Sequence, residues 1–237
     1  MLELKNVSYK VIEDNQEKNI LSDINLSFAK NKINVITGPN GCGKSTIIKL
    51  LMGINNPNSG QVLYNGKDIT NLSISERAKL GITIAFQQPI KFKGLSVKDL
   101  LDIASNKTNT LSEACAYLSK VGLCAKDYIN RELNDNLSGG ELKRIELAIA
   151  LAKGGNVFLF DEPEAGIDIW SFEGLISIFK SISNATIIIV SHQQKILNMA
   201  DNIILLSPNK NILQGTAKKM MPKIEQSSCG MLGGQNE

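Results

Sequence analysis

Short runs of β-branched and aromatic residues recur along the chain, and segments with helical spacing of apolar residues separate them. Such runs are typical of buried strands, and their alternation with helices predicts an α/β fold with parallel core strands. We expect core strands at Val35–Thr37, Ile82–Phe86, Val157–Phe160, Ile187–Val190 and Ile203–Leu206. We expect helices at Lys44–Met52, Gly139–Ala152, Ser171–Ile182 and Gln193–Met199.

Two further patterns lie outside this alternation. Residues 1–30 and Gly60–Asn65 have the pattern of antiparallel strands joined by turns. From 89 to 136 the apolar positions follow helical spacing and no strand pattern interrupts them, as at Leu111, Cys115, Leu118 and Val121. We therefore expect an antiparallel β subdomain and an inserted α-helical subdomain, the latter covering about residues 89–153 with the helix that follows.

Composition is that of a globular protein with a sizeable core. The chain has 237 residues, of which 43% are hydrophobic and 21% charged, so a disordered or fibrous protein is excluded. We expect one domain over residues 1–225. Residues 226–237 contain Ser-Ser-Cys-Gly and Gly-Gly, which predicts a flexible C-terminal tail.

Charge and cysteine usage narrow the class of protein. The net charge is only +3, and of the 26 lysines and arginines only Arg77, Arg131 and Arg144 are arginine, which disfavours nucleic-acid binding. Apolar runs are strand-sized, far below the roughly 20 residues that a bilayer requires, so we expect no membrane insertion. The start of the chain has no apolar segment of signal-peptide length, and its cysteines at 42, 115, 124 and 229 show no metal-type spacing. They are expected to be reduced thiols in a cytoplasmic protein.

The strongest chemical motif follows the first predicted core strand. Gly38-Pro-Asn-Gly-Cys-Gly-Lys-Ser-Thr46 matches G-x-x-x-x-G-K-[ST] between a strand and a helix, which is the arrangement that cradles nucleotide phosphates. Lys44 is expected to reach the β- and γ-phosphates, and Ser45 to supply a hydroxyl to Mg²⁺. The nucleotide contacts are expected at Gly38, Pro39, Asn40, Gly41, Cys42, Gly43, Lys44, Ser45 and Thr46.

Two carboxylates end the strand Val157–Phe160. Adjacent acids at a strand end are usually solvated, but the carboxyl ends of strands in an α/β sheet are where ligands bind. Next to a phosphate loop the functional interpretation is favoured. Asp161 is therefore expected to hold Mg²⁺ and Glu162 to polarise the attacking water.

A second anion site is predicted at the start of the helix after residue 136. Leu137-Ser-Gly-Gly-Glu141 places a serine cap and two glycines at a helix N-terminus, so Ser138, Gly139, Gly140 and Glu141 are candidate nucleotide contacts. A capped helix alone would explain Ser138 and Glu141 but not both glycines. Two phosphate sites on one chain suggest a head-to-tail dimer in which each copy completes the nucleotide site of the other.

Together these motifs, in this order, resemble those of ATP-binding-cassette (ABC) ATPases over about residues 1–225. The resemblance implies the ABC nucleotide-binding domain fold, ATP and Mg²⁺ as ligands, and hydrolysis of ATP to ADP and phosphate. It further implies that Tyr9 stacks on adenine, that Gln87 senses Mg²⁺ and the attacking water, and that Asp168 lies at the dimer seam. His192 would contact the γ-phosphate, so that Glu162, His192, Gln87 and Lys44 would be the catalytic set.

Each of these assignments has an alternative. Tyr9 could simply cover the sheet, and Gln88 could be the sensor in place of Gln87, although the spacing from Phe86 favours Gln87. A lone histidine is usually a core or surface residue. The position of His192 after a predicted core strand favours the catalytic interpretation.

Within the ABC family three classes compete. Chromosome and repair cassettes insert a long coiled coil, whereas fewer than a hundred residues separate Ser45 from Leu137. The chain is more similar to the Suf-type iron–sulfur cluster assembly ATPase (SufC) in three segments, which are Pro89–Val97, Glu141–Arg144 and Asp161–Trp170. This similarity implies a SufB/SufD-like scaffold protein as partner, as in a SufBC complex, besides a second copy of the chain. The alternative is the ATPase subunit of a membrane ABC importer.

Cys229 is a candidate cluster ligand because it lies in the predicted flexible tail, where a thiol is accessible. One thiolate cannot hold an iron–sulfur cluster, which needs about four ligands. Cys229 could complete a cluster site shared with the scaffold or the second copy, and the alternative is a tail cysteine without function.

Overall fold

A computed structural model describes residues 1–13, 16–86, 92–133, 137–167, 169–207 and 212–232, with the backbone alone for 169–171 and 226–232. Its strands are β1 (Leu2–Glu13), β2 (Gln16–Phe28), β3 (Ile33–Thr37), β4 (Ser59–Tyr64), β5 (Lys67–Asp68), β6 (Ile82–Ala85), β7 (Phe92–Ser96), β8 (Glu132–Leu133), β9 (Val157–Asp161), β10 (Thr186–Val190), β11 (Asn202–Leu206) and β12 (Ile212–Gly215). Its helices are α1 (Lys44–Met52), α2 (Ile74–Lys79), α3 (Val97–Ser105), α4 (Leu111–Lys120), α5 (Ala125–Tyr128), α6 (Gly139–Lys153), α7 (Ile169–Ser181), α8 (Gln194–Met199) and α9 (Ala217–Leu232).

The first of two compact units comprises Met1–Arg77 and Thr186–Glu237. It holds an antiparallel sheet of strand order β2-β1-β4-β5. It also holds β3 between its parallel neighbours β10 and β11, with β12 antiparallel to β11. The residues of β10 are all buried, which explains why its sequence is continuously apolar from Ile187 to Val190 rather than alternating.

One buried side chain fixes the end of α1 in this unit. The Arg77 guanidinium is fully buried and donates to the carbonyl oxygens of Leu50 at 2.6 Å and Leu51 at 2.9 Å. It also donates to the carbonyls of Thr70 and Leu72, at 2.7 and 3.1 Å. A cation at the C-terminus of a helix favours the helix dipole and satisfies carbonyls that lack an intrahelical partner.

The second unit comprises Ala78–Ala185. In it β6 and β9 pair in parallel, with Ile82 opposite Val157 and Ala85 opposite Phe160. Helix α6 contacts α3, α4 and β6. Its buried residues include Leu142, Ile145, Leu147 and Ala148, so α6 forms the middle of this unit.

The predicted core strands and helices are confirmed with small shifts at their ends. Helix α1 has the predicted bounds, whereas β6 ends at Ala85, one residue before the predicted end. The expectation that no strand interrupts the helical segment is wrong, because β7 pairs with β8, with Phe92 opposite Leu133. These strands are too short for a period-two pattern to stand out in the sequence. The backbone of α9 continues to Leu232, into the stretch 226–237, whose flexibility stays a prediction.

Candidate active site

Three glycines shape the loop between β3 and α1. Gly38, Gly41 and Gly43 have φ of 145°, 79° and 94°, in the region that favours glycine. A Cβ on Gly38 would lie 2.2 Å from the carbonyl oxygen of Leu206, and a Cβ on Gly43 would lie 2.7 Å from Cδ2 of Leu21. The tight turn and the close packing therefore both require glycine, as the phosphate-loop motif predicts.

The N-terminus of α1 has the features of an anion-binding site. Gly43 is its N-cap and supplies no side-chain cap, and the first turn contains no acidic residue. The Lys44 side chain is buried, and its Nζ donates to the carbonyl oxygens of Gly38 at 2.9 Å and Pro39 at 2.8 Å. The ammonium group is thus held inside the loop at the N-terminus of α1, and the N-terminal end of a helix favours a phosphate.

Two further predicted residues belong to the same unit as this loop. Tyr9 is half-buried and is paired across the hairpin with Leu21, whose side chain contacts Gly43. His192 is exposed and follows β10, whose end is tied to β3 by the bond from Ser191 N–H to the carbonyl of Ile36, 3.1 Å. Because β3 and β10 are parallel neighbours, His192 and the phosphate loop follow the same edge of these strands.

The carboxylates predicted for magnesium and water end β9 in the other unit. Asp161 is buried, at 6% exposure, and Glu162 is half-buried. Glu162 has φ of 44°, and it is the one described non-glycine residue with positive φ that is neither Asn nor Asp. Its carbonyl accepts from Ala165 N–H at 3.0 Å in the turn that follows. An ordinary glutamate avoids this conformation, so the site holds Glu162 in a strained backbone.

Ser138 is the N-cap of α6 and forms a capping box with Glu141. The Ser138 hydroxyl accepts from Glu141 N–H at 3.3 Å, and Glu141 Oε2 accepts from Ser138 N–H at 2.7 Å. The Tyr128 hydroxyl donates to the other carboxylate oxygen, Oε1. These bonds, that of Tyr128 first, lower the pKa of Glu141 from 4.5 to about 2, and the same contact raises the pKa of Tyr128.

The two glycines at the start of α6 have different surroundings. A Cβ on Gly140 would lie 3.3 Å from the carbonyl oxygen of Gly166, whereas a Cβ on Gly139 would meet nothing within 4 Å. Gly140 therefore allows the loop after Glu162 to approach α6 closely. Gly139 leaves its backbone open, as a site for a ligand requires.

Sequence reasoning missed three side chains around this helix. Tyr128 lies in α5 and shows no spacing that connects it to Glu141. Lys143 and Glu146 lie on the buried side of α6, where they bind the backbone of Phe86. The signal available was an i,i+3 pair of opposite charges among the apolar positions of a helix.

Several predicted residues lie outside the described part of the chain. These are Gln87, its alternative Gln88, Asp168, and the side chain of Cys229. Among the described residues, Cys42, Cys115 and Cys124 are free thiols, and burial raises the pKa of Cys42. Within the same described ranges there is no group of three His, Cys, Asp or Glu side chains that could hold a metal ion.

The described helices are all too short or too polar to cross a bilayer.

Magnesium prefers hard oxygen ligands and commonly takes only one or two from the protein. The half-buried Ser45 hydroxyl, in the first turn of α1, and the Asp161 carboxylate are donors of this kind. Each of these two groups therefore has the chemistry of a magnesium ligand.

Comparison with known proteins decides the family. The sequence model of the ABC transporter family matches residues 21–165. An uncharacterised ABC transporter ATP-binding protein of Methanocaldococcus jannaschii is 33% identical over 96% of this chain and 94% of its own. This chain belongs to the ABC ATPase family.

Further similarities agree with this assignment. The ABC ATPase is 34% identical to a probable ATP-dependent transporter, ycf16, of Trieres chinensis over 92% of both chains. A dimeric bacterial ABC transporter cassette has the same fold, with a TM-score of 0.82, 23% identity, and coverage of 92% of this chain and 99% of that one. The ABC nucleotide-binding domain fold and the ATPase activity that the sequence predicts are confirmed.

Proposed function

We propose that this ABC ATPase dimerises on ATP and uses hydrolysis to drive a conformational change in a soluble Suf-type scaffold for iron–sulfur cluster assembly. The phosphate loop is the observation that supports nucleotide binding in this proposal. Its glycines have positive φ, and a Cβ on Gly38 or Gly43 would clash with a neighbour. Its lysine is buried against the loop carbonyls, and its helix N-terminus has no side-chain cap. That combination favours a bound polyphosphate.

In this proposal each residue has one role. Tyr9 stacks on adenine, and Lys44 with the loop N–H groups binds the β- and γ-phosphates. Ser45 and Asp161 hold Mg²⁺, together with Gln87. When bound, the ion offsets the charge that builds up on the phosphate oxygens.

Glu162 acts on the water. Its carboxylate accepts a hydrogen bond from the attacking water and orients it in line with the γ-phosphate, while His192 contacts the γ-phosphate. The strained backbone of Glu162 supports this role, because strain of this kind clusters at functional sites.

The second copy completes the site. In the proposed head-to-tail dimer, Ser138 and the open backbone at Gly139 contact the γ-phosphate bound to the partner copy, and Asp168 lies at the seam. The dimeric form of the related bacterial cassette supports this arrangement. The geometry of α6 also supports it, because Ser138 caps this helix and the Glu141 side chain accepts hydrogen bonds from Ser138 N–H and the Tyr128 hydroxyl.

The Suf-type partner is proposed on the segments that resemble the assembly ATPase. One of these segments begins with Glu141, a position at which most importers carry glutamine. Both carboxylate oxygens of Glu141 accept hydrogen bonds here, from the Tyr128 hydroxyl and the Ser138 N–H. The second candidate is an ABC transporter subunit, favoured by the names of the two relatives, an ABC transporter ATP-binding protein and a probable ATP-dependent transporter.

The catalytic proposal is tested with Glu162→Gln, which keeps the size of the side chain and removes the carboxylate. We expect Mg-ATP binding to persist and turnover to fall by about 10²–10⁴-fold, the usual contribution of a positioned acid–base group. ATP should then shift this variant to a dimer in sedimentation experiments, and adding Ser138→Arg should abolish the shift. Near-normal turnover of Glu162→Gln would overturn the assignment.

The partner is tested by purifying the tagged protein from its native cells. A soluble brown complex that contains iron and sulfide supports the scaffold, whereas recovery with a membrane permease supports the transporter alternative. If a scaffold is recovered, Cys229→Ser tests the tail thiol, since unchanged iron and sulfide with normal turnover would exclude it as a cluster ligand.

A further inference from the structure

A cavity of about 190 Å³ opens on the surface of unit Ala78–Ala185, between the end of α4 and the helices α6 and α7. Its floor consists of four buried apolar side chains, which are Val121, Leu147, Leu175 and Ile178. An engineered cavity of about 150 Å³ with a lining of this kind binds benzene. The floor therefore has the size and the polarity to receive one aromatic or branched aliphatic group.

Two exposed glycines, Gly122 and Gly174, line the cavity at its mouth. Gly122 follows α4 with φ of 71°, a conformation that favours glycine at the end of a helix. Gly174 has no such reason, because it lies inside α7, where glycine is among the least favourable residues. A Cβ on Gly174 would meet nothing within 4 Å, so the packing of this chain does not require glycine there either. Glycine at position 174 does, however, keep the mouth of the cavity open.

Arg144 is half-buried and is the one charged residue among the described residues that line the cavity. Its Nε donates to the carbonyl oxygen of Gly140 at 3.4 Å, and within the described ranges it has no other hydrogen bond and no ion pair. Glu141, three residues before it, already accepts from the Ser138 N–H and the Tyr128 hydroxyl. Because a guanidinium binds a carboxylate through two parallel N–H donors, Arg144 can bind an organic anion here.

The surroundings of the mouth favour a small molecule over a protein partner. Stable protein interfaces bury about 800 Å² on each side around an apolar centre. The large apolar side chains that are exposed on the described chain, such as Ile103 and Leu111, do not line this cavity. The exposed residues next to its lining in the sequence include Lys120, Glu173 and Ser177, which are polar. A small molecule needs only the cavity itself.

We infer that this cavity binds a small organic carboxylate that carries one apolar group. The apolar group rests on the four buried side chains of the floor, and the carboxylate pairs with the Arg144 guanidinium. The inference does not rest on the proposed function, because the phosphate loop belongs to the other unit and no residue that lines the cavity has a proposed role in hydrolysis.

The probe is phenylpropionate, which combines a phenyl ring with a carboxylate, and its neutral amide is the control for charge. Nuclear magnetic resonance of the unsubstituted protein with isotope-labelled methyl groups, without nucleotide, reports the site directly. We expect the methyl resonances of Leu175 and Ile178 to shift saturably, with a Kd of about 1 mM or below. The amide should bind about tenfold more weakly or worse, because it loses the charged hydrogen bonds to Arg144.

Two variants test the two ends of the cavity. Gly174→Leu places a side chain at the mouth and should weaken phenylpropionate binding by about tenfold or more, without lowering the melting temperature, because leucine favours a helix more than glycine does. Arg144→Met should weaken phenylpropionate binding by about tenfold or more and leave that of the amide unchanged. Arg131→Met is the matched control, since Arg131 is exposed, lies over the Tyr128 ring and is not among the residues that line the cavity. Its Kd for phenylpropionate should equal that of the unsubstituted protein.

Three results would each overturn the inference. One is the absence of a saturable shift at up to about 10 mM phenylpropionate. Another is equal binding of the acid and the amide, which would mean that the carboxylate is not recognised. The third is an unchanged Kd in folded Gly174→Leu or Arg144→Met, which would place the probe elsewhere on the protein. Because nucleotide is absent from these experiments, a failure of Glu162→Gln to dimerise with ATP would contradict the proposed function and leave this inference standing.

Discussion

The backbone of Glu162 can be tested separately from its carboxylate by comparing Glu162→Ala with Glu162→Gly. Both variants lose the side chain beyond Cβ, so the contacts that they lose are nearly the same. Their difference in stability then reports the backbone at φ of 44°. At ordinary positions alanine is more stable than glycine by about 0.5–1 kcal/mol, since glycine loses more conformational freedom on folding.

The expected magnitude follows from two opposing effects. A left-handed conformation costs a residue with a Cβ about 1–2 kcal/mol. Subtracting the glycine entropy of about 0.5–1 kcal/mol leaves Glu162→Gly more stable than Glu162→Ala by up to about 1.5 kcal/mol. At about 2–4 °C per kcal/mol for a chain of this size, the melting temperature of Glu162→Gly should be higher by up to about 6 °C.

The assay is urea unfolding without nucleotide, because a ligand that binds the folded state would add its own stabilisation. Ala165→Gly is the control, since Ala165 is exposed, lies in the same loop and has an ordinary negative φ. At position 165, glycine in place of alanine should lower the urea concentration at which half of the protein is unfolded. The strain argument is refuted if glycine is the less stable residue at both positions. Both Glu162 variants should lose turnover by about 10²–10⁴-fold.

Three further predictions follow from single contacts. Gly38→Ala, whose Cβ would lie 2.2 Å from the Leu206 carbonyl oxygen, should weaken ATP binding by more than about tenfold in a fluorescence titration. Because the pKa of Glu141 is lowered to about 2, its contribution to stability is present above pH 4.5 and is lost as the pH falls towards 2. In Tyr128→Phe, acid titration followed by circular dichroism should show a smaller loss over this range, and an equal loss would contradict the assignment. Arg77→Met removes the guanidinium from the carbonyls of Leu50 and Leu51, of which Leu50 keeps the Gly53 N–H at 3.2 Å. It should lower the free energy of unfolding by about 3 kcal/mol, so a loss below about 1 kcal/mol would show that water replaces the guanidinium.

Much of the site was predictable because its chemistry lies in continuous segments. The phosphate loop joins β3 to α1, and its glycines, lysine and flanking strand are read from one stretch of sequence. The bounds of α1 were predicted correctly for the same reason, since Gly43 and Gly53 mark its two ends. At Asp161 and Glu162 a buried strand ends in acids, which is again a local pattern.

The contacts that hold these segments were not predictable in the same way. Tyr128 and Glu141 are separated by a stretch that includes β8, and only the packing of unit Ala78–Ala185 places a hydroxyl against that carboxylate. A tyrosine in a four-residue helix has no periodic signal. The pairing of β7 with β8 was not predicted for a similar reason, because the two residues of β8 are too few to show alternation of apolar and polar positions.

Lys143 is the most informative of the missed residues, because a lysine on a helix is ordinarily solvated. Its neighbours in the sequence show that it is not: Leu142, Ile145 and Leu147 surround it on the buried side of α6. A charge at such a position must find its partner inside the protein, and the glutamate three residues on is within reach. No local sequence pattern predicts that the pair also binds the backbone of Phe86 at the end of β6. The pair is thus predictable as a buried pair, while its contact with the backbone of Phe86 follows only from the fold.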